Sequence, residues 1–85
     1  AQRIVMMGQA GIEAKIKMIC DTELGRPIGV GDNLFEIGAS SLKLIAIHEA
    51  IDRLYPGSID LTELFDYPTI AELAAFLAGK LAKPA

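Results

Sequence analysis

The sequence predicts an all-α fold, a small bundle of three main helices plus one short helix, with a long loop between helices 1 and 2. Three observations carry this reading: apolar residues recur at three- and four-residue steps in three segments, capping signals and Gly/Pro punctuation bound those segments, and no segment alternates as a strand does. At 85 residues there is room for one domain, and 52% apolar against 22% charged residues supplies a core without the bias of a disordered chain.

The first helix spans Gln9 to Leu24, where Ile12, Ile16, Ile19, Cys20 and Leu24 fall on one face and Gly25 follows as a C-terminal cap. Arg26 to Gly38 contains Pro27 and glycines 29, 31 and 38, with Gly25 just before it, which reads as a long ordered loop with Leu34 and Phe35 as its core anchors. The second helix runs from Ser41 to Tyr55. Its core stripe is Leu44, Ile47, His48, Ile51, Leu54 and Tyr55, and Pro56-Gly57 stops it. Leu42, Ile45 and Ala46 lie off that stripe.

Asp60 followed by Glu63 resembles a capping box for a short third helix contributing Leu61, Leu64 and Phe65, and Tyr67-Pro68 ends it. Thr69-Ile70-Ala71-Glu72 is a second capping box. It opens a last helix whose Ile70, Leu73, Ala74, Leu77 and Leu81 share a face. The domain is expected at residues 9–81, with 1–8 and 82–85 as flanking linker, as in a unit that belongs to a longer polypeptide.

Composition narrows the functional classes. A formal charge of −3, from 11 acidic and 8 basic residues without a basic cluster, gives little attraction for a polyanion, so nucleic acid is not expected as a partner. Cys20 is the single cysteine and falls within a helical pattern, which excludes an intrachain disulfide and predicts a packed, unreactive thiol. No apolar run approaches the roughly 20 residues that span a bilayer, and Ile4-Val5-Met6-Met7 is too short for a signal-peptide core. The expectation is a soluble, cytoplasmic, monomeric domain without a membrane partner.

No catalytic set is apparent. His48 is the only histidine and lies on the core stripe, so it reads as a partly buried helix residue and not as a base or metal ligand. Asp21 to Asp32 offers oxygen ligands for calcium but fails as an EF-hand, because Arg26 stands where the turn needs Gly and Asp32 where a bidentate Glu is needed. No metal site is expected. The chain reads as non-catalytic.

One string stands out, DNLFEIGASSL from Asp32 to Leu42, in which two serines sit where a glycine-bearing loop meets an amphipathic helix. Serine is a preferred N-cap, so either hydroxyl has a structural explanation by itself. The whole string, however, resembles the phosphopantetheine attachment motif of acyl and peptidyl carrier proteins: Asp, an apolar-aromatic pair, Glu, an aliphatic residue, Gly, two variable residues, Ser, Leu. LTELFDYPTIAELAAFL, from Leu61 to Leu77, is similar to the end of such domains in modular polyketide and nonribosomal peptide synthetases. The similarity runs from about Gln9 to Leu81.

The resemblance implies that the modified serine stands three positions after Gly38 and directly before Leu42. That is Ser41. Ser40 holds a position where many relatives have Asp or His, and Ala39 one that is often Gly. It further implies a 4'-phosphopantetheine arm, transferred from coenzyme A by a separate phosphopantetheinyl transferase with magnesium. The arm's thiol holds cargo as thioesters for partner enzymes. A phosphodiester at the start of a helix lies at the positive end of the helix dipole, which suits the assignment.

Leu42, Ile45 and Ala46 then form the expected docking surface beside Ser41. With Lys43 near the start of the helix, and Glu49 and Asp52 only later, this surface should be less acidic and less salt-dependent than in the carriers of dissociated fatty-acid synthesis. That favours a carrier embedded in a synthase, where tethering raises the effective concentration of partners. The first expectation is a polyketide-type carrier meeting ketosynthase and acyltransferase domains. The alternatives are a peptidyl carrier of a nonribosomal peptide synthetase, a helical protein-interaction module with no prosthetic group, and a small helical nucleic-acid binder, which the charge disfavours.

Overall fold

A computed structural model describes residues 9–38 and 40–82. Among them are four helices and no strand: α1 (Gln9–Leu24), α2 (Ser41–Leu54), α3 (Glu63–Asp66) and α4 (Ile70–Ala82). Of the expected flanks at 1–8 and 82–85, residues 1–8 and 83–85 lie outside the described residues, as does Ala39 within the motif string, and Ala82 is the last residue of α4. α1 packs against both α4 and α2.

The core follows the sequence stripes closely. α1 buries Ile12, Ile16 and Cys20, α2 buries Leu44, Ile47 and Ile51, and α4 buries Ile70, Leu73, Ala74 and Leu77. Burying one such aliphatic side chain is worth about 1.5–3 kcal/mol, so these three faces dominate the stability of the bundle. Ile19 and Leu24 pack at the core's edge. Burial pushes the Cys20 thiol up to about 12, with a further contribution from the Asp21 charge, so it is a neutral packing group.

α1 ends as its glycine requires. Gly25 has φ +73°, a conformation open to glycine, and the amides of Gly25 and Arg26 both donate to the Asp21 carbonyl, at 2.9 and 3.2 Å. The Asp21 carboxylate accepts from Lys17 Nζ at 2.7 Å and from the Ile28 amide at 2.8 Å. These bonds turn the chain back so that Ile28 enters the core.

The long loop is ordered by further ties. The Leu34 amide donates to the Pro68 carbonyl at 2.9 Å and the Ala71 amide to the Val30 carbonyl at 3.0 Å, joining the loop to the α3–α4 junction. Leu34 is fully buried, but Phe35 is 36% exposed and is not a core anchor. Adjacent residues in a turn point in different directions, so only one of the pair reaches the core. Phe35 instead stacks on Phe65, with ring centroids 5.1 Å apart.

Three other expected core residues are corrected in the same way. Phe65 is exposed because one turn of helix has a single inward position, and Leu64 takes it. Leu54 and Leu81 lie in the last turns of α2 and α4, at stripe edges that the bundle no longer covers. Ile59, which carries no periodic signal, is buried in the α2–α3 connection.

The caps are mixed. At α4 the Glu72 amide donates to Thr69 Oγ1 at 3.1 Å, and the hydroxyl in turn donates to the Glu72 carboxylate at 3.0 Å. At α3 the Asp60 amide donates to Glu63 Oε1 at 2.7 Å, but the helix itself begins only at Glu63, with Thr62 as N-cap. The α2–α3 connection is held from both sides: His48 Nε2 donates to the Ile59 carbonyl at 2.8 Å, and Lys80 Nζ donates to the Ser58 carbonyl at 2.8 Å while lying over the Phe76 ring.

Candidate functional site

The motif string begins in the second half of the long loop. Asn33 Oδ1 accepts the amides of Phe35 and Glu36 at 2.9 and 3.2 Å, an Asx turn that winds residues 33–38 into a tight coil. The coil closes with Gly38 at φ +97°, a backbone conformation that glycine adopts without steric cost. Ile37 packs against the core. Its carbonyl accepts from the Arg26 guanidinium at 2.9 Å.

The two serines divide the labour at the helix junction. Ser40 is the N-cap, in extended conformation, with Oγ accepting the Lys43 amide at 3.3 Å and its carbonyl accepting the Leu44 amide at 2.9 Å. Ser41 is the first helical residue and is exposed. Among the described residues its hydroxyl has no hydrogen bond, so capping α2 makes no demand on it. The possibility that Ser41 itself caps the helix is thereby corrected.

The surroundings suit an added anion. The first turn of α2 contains no acidic residue, and at N1 and N2 the amides of Ser41 and Leu42 have no intrahelical acceptor. Esterifying Ser41 therefore introduces negative charge beside free donors without costing the helix its cap. Beside it, Leu42 is 79% exposed and Ile45 40%, whereas Ala46 is half-buried. Among the described residues no group of His, Cys, Asp and Glu side chains could hold a metal ion.

The model of the family described as "Phosphopantetheine attachment site" matches residues 14–77, three quarters of the chain, with the loop, the two serines and all of α2 inside the match. The chain belongs to that family. Members of the phosphopantetheine attachment family bear a 4'-phosphopantetheine prosthetic group, and the exposed, uncommitted hydroxyl at the start of α2 fits such a group.

Curated relatives point the same way. The chain is 42% identical over 71 residues, 82% of its length, to tyrocidine synthase 3 of Brevibacillus parabrevis. It is 39% identical over 56 residues, 66% of its length, to the nonribosomal peptide synthetase asqK of Emericella nidulans, and 34% identical over 70 residues, 79% of its length, to enniatin synthetase of Fusarium oxysporum. The chain spans only 1% to 2% of the length of these relatives. No solved structure gives a significant match.

Sequence reasoning missed Arg26, whose bond to the motif loop spans eleven positions and leaves no periodic trace, and it did not separate the capping serine from its neighbour. The spacing Ser40 to Lys43 is what an N-cap at Ser40 requires.

Proposed function

We propose that residues 9–81 are a peptidyl carrier domain of a nonribosomal peptide synthetase, with Ser41 bearing the 4'-phosphopantetheine arm. The observation that carries the site is the division between the serines: Ser40 caps α2, and Ser41, at the motif spacing after Gly38 and before Leu42, presents an exposed hydroxyl. The arm supplies a terminal thiol that holds acyl or aminoacyl cargo as a thioester. The domain contributes the tether and the surface that partners read, and other domains perform the chemistry.

The peptidyl reading replaces the polyketide-type reading as the first choice because one relative is named a nonribosomal peptide synthetase and others are named for synthases of tyrocidine and enniatin. Ketosynthase and acyltransferase partners have no support in those names. Partners on this reading are a phosphopantetheinyl transferase and the synthetase's own catalytic domains. Leu42 and Ile45 are the apolar contacts they meet beside Ser41, with Ala46 a lesser one because it is half-buried.

Incubation with coenzyme A, magnesium and a broad-specificity phosphopantetheinyl transferase, followed by intact mass and peptide mapping, tests the reading. One arm per chain, on Ser41, is expected. An unmodified chain overturns the carrier assignment, and an arm on Ser40 overturns the site.

A further inference from the structure

We infer that Arg26 is a positioning residue for Ser41: it fixes the turn that delivers the serine to the transferase, although it lies fifteen positions earlier in the chain. The inference rests on the reading of Ser41 as the modified residue. The Arg26 backbone is pinned to the end of α1 by its amide, which donates to the Asp21 carbonyl at 3.2 Å. Its guanidinium donates to the Ile37 carbonyl at 2.9 Å. Ile37 precedes Gly38, which has a positive φ and lies two positions before Ser40, the cap of α2.

Other ties act earlier in the loop or on side chains. Ile28 is fixed by its amide's bond to the Asp21 carboxylate of α1, and Val30 and Leu34 by backbone bonds to the α3–α4 junction. Phe35 is held by its ring against Phe65, and Ile37 by its packing on the core. Asn33 organises residues 35–37 locally, within the coil itself. Among the described residues, Arg26 makes the one side-chain hydrogen bond from outside residues 33–38 to the backbone of that coil.

Arginine suits this role. Its planar head stays charged at any working pH and donates in a fixed direction from a stem long enough to cross the loop. A donor on the last carbonyl before Gly38 restrains rotation of the Ile37–Gly38 peptide, and so the freedom of the chain that enters α2 at Ser40 and Ser41. In the transfer a bond forms between the serine Oγ and the pantetheine-side phosphorus of coenzyme A, the pyrophosphate bond breaks, adenosine 3',5'-bisphosphate leaves and the hydroxyl proton passes to a base of the transferase. The oxygen must be aligned with that phosphorus, and small misplacements at a reacting atom are costly. Because Arg26 is exposed, removing its side chain leaves the core intact.

The test compares the parental chain with Arg26→Ala and Arg26→Lys. In the free chains, backbone ¹⁵N relaxation reports the order of Gly38, Ser40 and Ser41. In loading assays, coenzyme A, magnesium and a broad-specificity phosphopantetheinyl transferase give kcat and KM for the carrier. Arg26→Ala is expected to keep the parental melting temperature, to lower the order parameters at Gly38 and Ser40, and to reduce kcat/KM by about three- to ten-fold, the equivalent of one net hydrogen bond, chiefly through kcat. Arg26→Lys, which keeps a cationic donor, should recover part of both changes.

Unchanged order parameters in Arg26→Ala overturn the inference, as does parental loading. A loss confined to KM with unchanged order also overturns it, because Arg26 then touches the transferase and positions nothing. A parental chain that takes no arm overturns the carrier reading and this inference together, whereas a loaded parent with an indifferent Arg26→Ala overturns this inference alone.

Discussion

Ser40 Oγ accepts the Lys43 amide at 3.3 Å, and this single bond settles which of two neighbouring hydroxyls serves the fold. Ser40→Ala is expected to cost about 0.5–2 kcal/mol, toward the lower end because the bond is long, and to leave Ser41 open to modification. Ser41→Ala should stay within about 0.5 kcal/mol of the parent and abolish modification. Denaturant melts run beside intact-mass assays separate the two roles, and a melt showing Ser41→Ala as the more damaging change contradicts the division.

The aliphatic faces of α2 and α4 carry the stability. Ile47 and Leu77 are fully buried, so Ile47→Ala or Leu77→Ala should each cost about 2–5 kcal/mol through the cavity left behind. That is a large share of what a small domain has in hand. Urea denaturation of both variants provides the measurement, and a loss below 1 kcal/mol at both sites, the scale of a surface change, is incompatible with this core.

Much of this architecture was legible in three- and four-residue spacing. Leu44, Ile47 and Ile51, or Ile70, Leu73, Ala74 and Leu77, announce their faces because a helix of several turns repeats its inward direction. Phe35, Leu54, Phe65 and Leu81 misled because hydrophobicity does not say whether another element covers a given edge. Ile28 and Ile59 were invisible for the opposite reason. Each enters the core from a connection, steered by bonds such as that from the Ile28 amide to Asp21, which no local period encodes. At the candidate site, the resemblance to carrier proteins pointed to Ser41, but only the cap geometry explains why its neighbour is a serine.

Docking should separate from folding at Ile45. This residue is 40% exposed, one step round α2 from the buried Leu44. Ile45→Asp is expected to change stability by no more than about 0.5 kcal/mol. It should slow loading and transfer with partner domains by placing an unpaired charge in an apolar contact. Lys43→Ala should matter less, and mainly at low salt. Rates at two salt concentrations, read beside melts, decide it; unfolding by Ile45→Asp would assign the residue to the core.

The Asp21 carboxyl is held below the usual carboxylate range by its hydrogen bond from Lys17 and then by the Ile28 amide. A depressed folded-state value means that the ionised group stabilises the fold at pH above the unfolded value of about 3.9, and that this contribution disappears as pH falls through the lower folded value. The stability gap between the parent and Asp21→Ala should therefore be constant at neutral pH and narrow in acid below about pH 4. A gap that does not change with pH between neutrality and strong acid assigns it to packing alone.

Cys20 offers a direct check on the buried face of α1. With its thiol pushed up to about 12, the folded chain should resist a thiol reagent at pH 8 and react only after denaturant is added. Rapid labelling without denaturant contradicts the packing of α1.

The two backbone bonds between the long loop and the α3–α4 junction, Leu34 to Pro68 and Val30 to Ala71, have a bearing on how the molecule opens. Segments joined through main-chain groups on both sides cannot melt separately without stranding a donor and an acceptor from each. The loop, α3 and the start of α4 therefore form one cooperative unit, and the amides of Leu34 and Ala71, 37 positions apart, should exchange with solvent through the same excursion. Opening of that unit releases the loop and the short helix Glu63–Asp66 in one event, so the slow, larger excursions of the chain before Ser41 are gated on the far side of the loop, separately from the local order that the Arg26 bond gives Gly38 and Ser40.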